Sequence, residues 1–246
     1  MGLKVANVYA EGEGYITFLL LKSLAGDGTL PHCFKYVDRL IFLPAEINLL
    51  LIPEINQSEE DILKNHPHRD KLTVISKNCK GLENCLETPA ELPYFYGALL
   101  KVAEVLKEEK LTGLLKETEL VEPEEDEHFQ KLLEKLLFYI PVLIGKRESV
   151  IYAWKYFLGK EKHPAITHIY PRDGEVIPRI FSNILFTDKI IPVPLGVLPG
   201  GIIEEIKLKG FVPYGVKVEG KNNLDSELKL INYGRKLAQK LRENRL

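Results

Sequence analysis

The segment best suited to bind an anion is residues 54–61 (EINQSEED), which follows an apolar run in the first half of the chain. Asn56, Gln57 and Ser58 supply amide and hydroxyl donors at a predicted helix start, where the helix macrodipole favours negative charge. A helix cap alone also explains these residues, because Ser58 and Asp61 have the spacing of a capping box. The segment therefore predicts either a phosphate site or a plain helix start.

A glycine-containing turn, residues 11–14 (EGEG), directly follows the first predicted strand. Gly12 and Gly14 could bring backbone N–H groups close to a phosphate, since glycine lets the chain approach without a Cβ atom. The carboxylates of Glu11 and Glu13 argue against an anion, and a tight turn before a helix explains the pattern about as well. Both interpretations stay open at this point.

A third group of polar residues lies in the second half, at residues 159–163 (GKEKH), with His168 and Arg172 downstream. Proton transfer in catalysis requires a base and an acid, and Glu161 and His168 are the candidates for these roles. Lys162 is the candidate cation of the group. Each of these side chains could equally be a solvated surface residue.

An alternation of strands and helices must position these segments. Short apolar runs predict strands, and apolar residues at three- and four-residue intervals predict helices. In the first half the predicted strands cover 5–9, 39–43, 49–52 and 72–76, and the predicted helices cover 15–24, 61–65 and 90–110. In the second half the predicted strands cover 140–144, 166–170, 189–194 and 216–218, and the predicted helices cover 129–137, 150–158, 201–208 and 224–243. This order predicts an α/β fold with parallel sheets covered by helices on both faces.

An acidic stretch, residues 117–127, interrupts the alternation and has almost no apolar residues. Such a stretch is typical of a solvated connector. We therefore predict an N-terminal half over 1–115, an acidic connector over 116–127 and a C-terminal half over 128–246 that includes the long helix 224–243.

Composition excludes several classes of protein. The chain has 33 basic and 35 acidic residues and a formal charge of -2, so it lacks the basic surface of a nucleic-acid binder. Its apolar runs are strand-sized and predict no membrane span. The N-terminus does not read as a signal peptide, which predicts a cytoplasmic protein.

The three cysteines, Cys33, Cys79 and Cys85, are an odd number without the spacing of a zinc site. We predict reduced and partly buried thiols. The sequence predicts no metal and no cofactor, since neither a P-loop nor a nucleophile motif is present.

Several short segments follow the order of a known family. In the first half, residues 11–14 take the place of a G-G-S turn, residues 56–61 that of a G-N-T-E-E-T phosphate loop, and residues 74–76 that of an I-T-S strand. In the second half, residues 140–143 (IPVL) and 153–155 (AWK) resemble an I-P-V-I strand and an R-W-K helix. The chain thus resembles the sugar isomerase (SIS) domain superfamily, and within it the bifunctional phosphoglucose/phosphomannose isomerases of bacteria and archaea.

The resemblance implies two sequential SIS-like halves, each a flavodoxin- or Rossmann-like parallel sheet, and commonly a homodimer. It implies a phosphorylated sugar as the ligand, with Ser58 in the place of the phosphate-binding threonine and Ser76 in that of the strand serine. Gly159 stands where the family has a catalytic glutamate, and the family histidine has no counterpart. We therefore expect a glucose-6-phosphate/mannose-6-phosphate isomerase-like protein with weak or lost activity, or alternatively a non-catalytic phosphosugar-binding or regulatory protein.

Overall fold

The computed structural model describes residues 5–40, 45–169, 189–198 and 200–244. The chain forms two compact units, Met1–Glu117 and Thr118–Leu246. We call them the N-terminal unit and the C-terminal unit.

The N-terminal unit is built on a five-stranded sheet in the order β2-β1-β3-β4-β5, and every neighbouring pair is parallel. This is the flavodoxin-like strand order. Its strands are β1 (Val5–Ala10), β2 (Cys33–Tyr36), β3 (Ile47–Leu51), β4 (Thr73–Ser76) and β5 (Cys85–Glu87). The order reverses between β1 and β3, which makes the carboxyl ends of these two strands the topological switch point, where such sheets bind ligands.

Helices cover both faces of this sheet. They are α1 (Glu13–Gly26), α2 (Gln57–Lys64), α3 (Tyr94–Leu106) and α4 (Glu109–Glu117), with a 3-10 turn at Arg69–Lys71. Leu50 and Val74 pack with Leu63 of α2 on one face. Successive strand residues point to opposite faces, so Leu49 and Leu51 face the side covered by α1 and α3.

The C-terminal unit contains a three-stranded parallel sheet in the order β7-β6-β8. Its strands are β6 (Ile140–Gly145), β7 (Ile166–Ile169) and β8 (Ile190–Leu195), and its helices are α5 (Glu127–Phe138), α6 (Glu148–Lys160), α7 (Gly200–Leu208) and α8 (Asn223–Glu243). Ile202 and Ile206 of α7 pack against Val142 and Ile144 on one face of the sheet. The helix α6 contacts β6 and β7, and α8 packs against α6.

Trp154 of α6 is the centre of the α6–α8 contact. Its side chain is completely buried, its Nε1 donates to the Leu230 carbonyl oxygen at 2.9 Å, and its ring stacks on Tyr233. A Cβ atom at Gly234 would lie 2.6 Å from Nε1 of Trp154, so α8 needs a glycine there to approach this closely. Trp154, which matches the tryptophan of the family's R-W-K helix, is therefore a core residue.

The α/β class and the two parallel sheets are confirmed, but several details of the sequence prediction are wrong. Strands β2 and β5 and helix α4 were not predicted. The predicted helix 90–110 is interrupted at Lys107, whose left-handed φ of 52° ends α3 before α4 begins. The predicted strand 216–218 is only a single bridge between Val216 and Leu195. The predicted strand 39–43 falls largely outside the described residues.

The prediction that the cysteines are reduced is also wrong for two of the three residues, and the prediction that they are partly buried is wrong for Cys33. Cys79 and Cys85 form a disulfide, whereas Cys33 is a free and exposed thiol. The odd count and the absence of a metal pattern could not reveal this pair, because the pairing depends on β4 and β5 lying side by side.

Within the part of the chain that the structure describes, no helix is long and apolar enough to span a membrane. The apolar stripe of α8, made of Leu228, Ile231, Leu237 and Leu241, is fully buried. Because α8 packs on α6 and α5 of its own unit, this stripe is covered without a second copy of the chain.

Candidate functional site

The turn after β1 is shaped by its contact with β3. The N–H of Glu11 donates to the Leu51 carbonyl oxygen at 3.1 Å, and Gly12 has a left-handed φ of 53°. A Cβ atom at Gly14 would lie 2.2 Å from the same carbonyl oxygen. Gly14 is therefore required by the close packing of α1 on the end of β3, and Gly12 by its positive φ, so each glycine has a sufficient structural reason.

The second predicted segment begins α2, a few residues earlier than expected. The Asn56 side chain accepts from the Glu59 N–H at 3.0 Å, and the Glu59 carboxylate accepts from the Asn56 N–H at 2.7 Å. The capping box is thus Asn56 with Glu59, and the predicted box of Ser58 with Asp61 is wrong. The physical reason is that asparagine caps as well as serine, and here a glutamate stands three residues after it.

Gln57 and Ser58, two of the predicted ligand-binding residues, are exposed at the first turn of α2 and take no part in this capping box. Gln57 lies 3.5 Å from the Asp61 carboxylate through its Nε2 atom. The Ser58 hydroxyl makes no hydrogen bond to a residue that the structure describes. A capping role therefore does not account for Ser58.

The carboxyl ends of β1 and β3, which we call the β1/β3 crevice, carry the carboxylates of Glu11, Glu13 and Glu59. Tyr9 donates a hydrogen bond to Glu11, and this bond, with burial and the charges of Glu11 and Glu59, raises the pKa of Tyr9 from 10.0 to about 12. Burial and the charge of Glu13 raise the pKa of Tyr94 well above its usual range.

Carboxylates accept hydrogen bonds from hydroxyl groups but repel an anion, so the carboxylates of this crevice suit the hydroxyls of a sugar. A phosphate suits the start of α2 better, where Gln57 and Ser58 are exposed and the helix macrodipole favours negative charge.

Ser76 lies at the carboxyl end of β4 and is completely buried. Its hydroxyl donates to the Pro53 carbonyl oxygen at 3.2 Å and accepts from the Asn78 N–H at 3.3 Å. These bonds join the segment before α2 to the loop after β4. Ser76 thus holds the backbone of the predicted binding segment in place.

The predicted acid and base lie in the C-terminal unit, at opposite ends of β7. Glu161 caps the C-terminus of α6, before β7 begins, and its carboxylate is 3.9 Å from Nε of Arg242. The Cα of His168 pairs with Ile144, one residue before the end of β6. Lys162 follows Glu161, is exposed and has a left-handed φ of 55°. Arg172 lies outside the described residues.

Sequence reasoning missed a cavity at the carboxyl edge of the C-terminal sheet. It has a volume of about 510 Å³ and is lined by residues that follow β6 and β8, among them Lys146, Arg147 and Gly196. A signal for it existed: two cations directly follow the strand 140–145, where parallel sheets bind ligands. Among the residues the structure describes, no cluster of His, Cys, Asp or Glu is suited to hold a metal.

No protein-family model matches the chain, and no curated protein sequence matches it significantly. Solved structures do match over nearly the whole chain. The C-terminal domain of glucosamine-fructose-6-phosphate aminotransferase from Francisella tularensis has a TM-score of 0.66 and 9% identity, with 98% of this chain and 85% of that chain covered. Glucosamine-6-phosphate deaminase from Thermotoga maritima has a TM-score of 0.61 and 12% identity, with 100% and 86% covered.

A glucose-6-phosphate isomerase like protein from Thermus thermophilus has a TM-score of 0.51 and 18% identity, with 96% of this chain and 82% of that chain covered. At identities this low, the TM-scores show a shared fold and nothing further. The α/β fold with two parallel-sheet halves that the resemblance implied is therefore confirmed.

Proposed function

We propose that this protein binds a phosphorylated sugar and has lost the aldose–ketose isomerisation of the enzymes it resembles. One observation carries the proposal. The match to solved structures covers both units of the chain, and the names of those proteins specify hexose phosphates or their amino derivatives. Because one fold can host several functions, the chemistry of this chain's own residues must support the ligand.

The crevice at the β1/β3 switch point supports the sugar part of the ligand. It offers the exposed amide of Gln57, the exposed hydroxyl of Ser58 and the carboxylate of Glu11 within one edge of the sheet. Asn56 and Ser76 fix the backbone that carries these groups. In this proposal Ser58 and Gln57 contact the ligand, whereas Gly12 and Gly14 shape the turn beside it.

The arrangement of polar groups in the C-terminal unit supports the loss of catalysis. Gly159, at the position of the family glutamate, has no side chain to transfer a proton. Glu161 lies at the amino end of β7, away from the carboxyl edge where ligands bind in parallel sheets. His168 lies in β7, toward that carboxyl edge, so the candidate base and acid are near opposite edges of the C-terminal sheet.

The resemblance adds two finer proposals: the ligand is glucose 6-phosphate or mannose 6-phosphate, and the protein is a homodimer. The cytoplasmic location that the sequence analysis predicts is a third proposal. The buried stripe of α8 does not supply the dimer interface, so a dimer would use another surface of the chain.

The test is isothermal titration calorimetry of the purified full chain with glucose 6-phosphate, mannose 6-phosphate and unphosphorylated glucose. We expect both phosphorylated sugars to bind at least about tenfold more tightly than glucose, because the exposed amide of Gln57 and hydroxyl of Ser58 at the start of α2 can donate to a phosphate. Charge-assisted hydrogen bonds of this kind contribute about 1.5–3 kcal/mol each. Equal affinity for glucose and glucose 6-phosphate, or no binding of any of them, contradicts the proposal.

A further inference from the structure

The C-terminal unit contains a cavity that none of the predicted site residues lines, and we infer that it is a binding site for the phosphate group of a small phosphorylated molecule. The inference goes beyond the proposed function, because it places the anion in the unit that lacks Ser58 and the β1/β3 crevice. We call this feature the β6/β8 cavity. Lys146, Arg147, Gly196, Lys217, Gly220 and Ser226 line it, together with residues adjacent to them.

The β6/β8 cavity lies at a position in the fold where open α/β sheets bind ligands. The chain leaves β6 toward β7 on one side and returns to β8 on the other, so the order of strands reverses between β6 and β8. The cavity opens beyond the carboxyl ends of these two strands. Open α/β sheets bind their ligands at such a position. Its volume of about 510 Å³ also falls within the range of small-molecule sites, roughly 300–1,000 Å³.

The lining of the β6/β8 cavity carries more positive than negative side chains. The charged lining residues are three cations, Lys146, Arg147 and Lys217, and two carboxylates, Glu219 and Glu227. The net excess is one positive charge, because two of the cations are paired with the two carboxylates. This lining is therefore more favourable to a phosphate than the carboxylates of the β1/β3 crevice are.

The carboxylates of the lining offset part of its positive charge, and one of them also orients a cation. Glu227 binds Nε of Arg147 at 3.1 Å and accepts from the Ser149 hydroxyl at 2.7 Å, so a mostly buried carboxylate holds the guanidinium at the cavity wall. An arginine held in this way is suited to planar recognition of a phosphate. Lys217 pairs with Glu219 at 3.1 Å on the surface, and an exposed pair of this kind rearranges at little cost in free energy.

Backbone geometry brings the walls close to the strand ends. Gly196, directly after β8, has a left-handed φ of 79°. A Cβ atom at Gly220 would lie 2.4 Å from the Ser226 backbone nitrogen, so the loop before α8 rests against the first turn of that helix. Ser226 and Asn223 of the same turn provide a hydroxyl and an amide beside the cations. Such groups can bind the hydroxyls of a phosphorylated sugar.

The small size of the cavity and the formal charge of -2 favour a small phosphorylated molecule over a polyanion such as nucleic acid. Lys146 and Lys217 are the residues to change, because both are exposed and their removal leaves no buried partner. Arg147 is unsuitable, since its loss would leave Glu227 buried without its cation.

The experiment is two-dimensional ¹H–¹⁵N NMR on the full chain, titrated separately with inorganic phosphate, glucose 6-phosphate and glucose. We expect phosphate and glucose 6-phosphate to shift the amide signals of Lys146, Gly196, Gly220 and Ser226, and glucose to leave them unchanged. Lys146→Ala with Lys217→Ala should weaken binding by at least about tenfold. The matched control is Lys155→Ala with Lys209→Ala, which removes the same charge from exposed positions of the same unit and should leave the affinity unchanged.

The outcomes separate this inference from the proposed function. If no phosphate compound shifts these amides, or if the Lys146/Lys217 variant binds as tightly as the wild type, the inference is overturned. Binding of glucose 6-phosphate that depends on Ser58 alone would overturn the β6/β8 site while the proposed function stands. Binding of inorganic phosphate here, without any preference of the protein for phosphorylated sugars over glucose, would support the site and contradict the proposed function.

Discussion

At the scale of single residues, the polar side chains of the N-terminal crevice divide into those that hold the backbone and those that face solvent. Asn56, Glu59 and Ser76 direct their hydrogen bonds to the chain itself. Gln57 and Ser58 project from the first turn of α2. Substitutions within the three consecutive residues Asn56, Gln57 and Ser58 can therefore distinguish an effect on stability from an effect on ligand binding.

Ser58→Ala should weaken the binding of glucose 6-phosphate by about 1 kcal/mol and leave the free energy of unfolding unchanged, because Ser58 is not the cap of α2. Asn56→Ala should lower the free energy of unfolding by about 1 kcal/mol, because Asn56 is the cap. Calorimetry and urea unfolding of the two variants measure both quantities. A loss of stability in Ser58→Ala without weaker binding would contradict the assignment.

Tyr9 should make the protein sensitive to alkaline pH. Its pKa is about 12 in the folded chain and 10.0 ordinarily, so between these values the unfolded state has released a proton that the folded state retains. The free energy of unfolding should therefore fall as the pH rises from about 10 toward 12. Removing the hydrogen-bonded charge by Glu11→Gln should make this fall shallower. Urea unfolding across that pH range tests it, and identical slopes would contradict it.

At the scale of elements, the packing of α1 on β3 depends on Gly14. Gly14→Ala should lower the free energy of unfolding by about 2–3 kcal/mol, because its Cβ atom would overlap the Leu51 carbonyl oxygen. Gly26→Ala in the same helix is the matched control and should have little effect, since nothing lies within 4 Å of the added atom. Thermal and urea unfolding compare the two. Equal small effects would show that α1 does not approach β3 this closely.

The disulfide ties the short edge strand β5 to the loop after β4. Cys79 also donates its N–H to the Glu87 carboxylate at 3.1 Å, and Thr88 donates its N–H to the Ser76 carbonyl oxygen at 2.8 Å. Replacing both cysteines by serine should lower the free energy of unfolding by about 2 kcal/mol, as expected for a short cross-linked loop. Thiol titration of the denatured wild type should find one thiol without reductant and three with it. Three thiols in both conditions would contradict the bond.

At the scale of the whole molecule, the question is whether the chain turns over its ligand. We expect no isomerisation of glucose 6-phosphate in a coupled assay, with an authentic isomerase as positive control, because Gly159 cannot transfer a proton and Glu161 lies at the amino end of β7. Glu161→Gln should match the wild type. Robust turnover by the wild type that Glu161→Gln abolishes would make Glu161 the catalytic base.

Two units of similar construction explain why a strand-and-helix rhythm repeats along the chain. Each unit has its own parallel sheet with helices on both faces, and each therefore has its own switch point. The N-terminal switch point carries carboxylates with exposed hydroxyl and amide groups, whereas the cavity at the C-terminal one is lined by three cations and two carboxylates. The same architecture thus presents two chemically different edges.

The sequence by itself determined the α/β class, the existence of most helices and strands, and the repetition of the pattern in a second half. These properties follow from local periodicity: apolar residues at intervals of three and four produce α8, and continuous apolar runs produce β3 and β6. The sequence also predicted a capping box at the start of α2, although it placed the box two residues too late, on Ser58 and Asp61. Only the hydrogen bonds of the folded chain distinguished Asn56 from Ser58.

The tertiary structure alone decided features that join distant residues. Short edge strands such as β2 and β5 have no strong pattern of their own, because pairing with β1 and β4 stabilises them. The disulfide and the contact of Gly14 with Leu51 follow from that pairing and packing. Lys146 and Lys217 are far apart in sequence and share one cavity because β6 and β8 end side by side. Local periodicity predicts which segments form, but the charge of a site depends on which segments become neighbours.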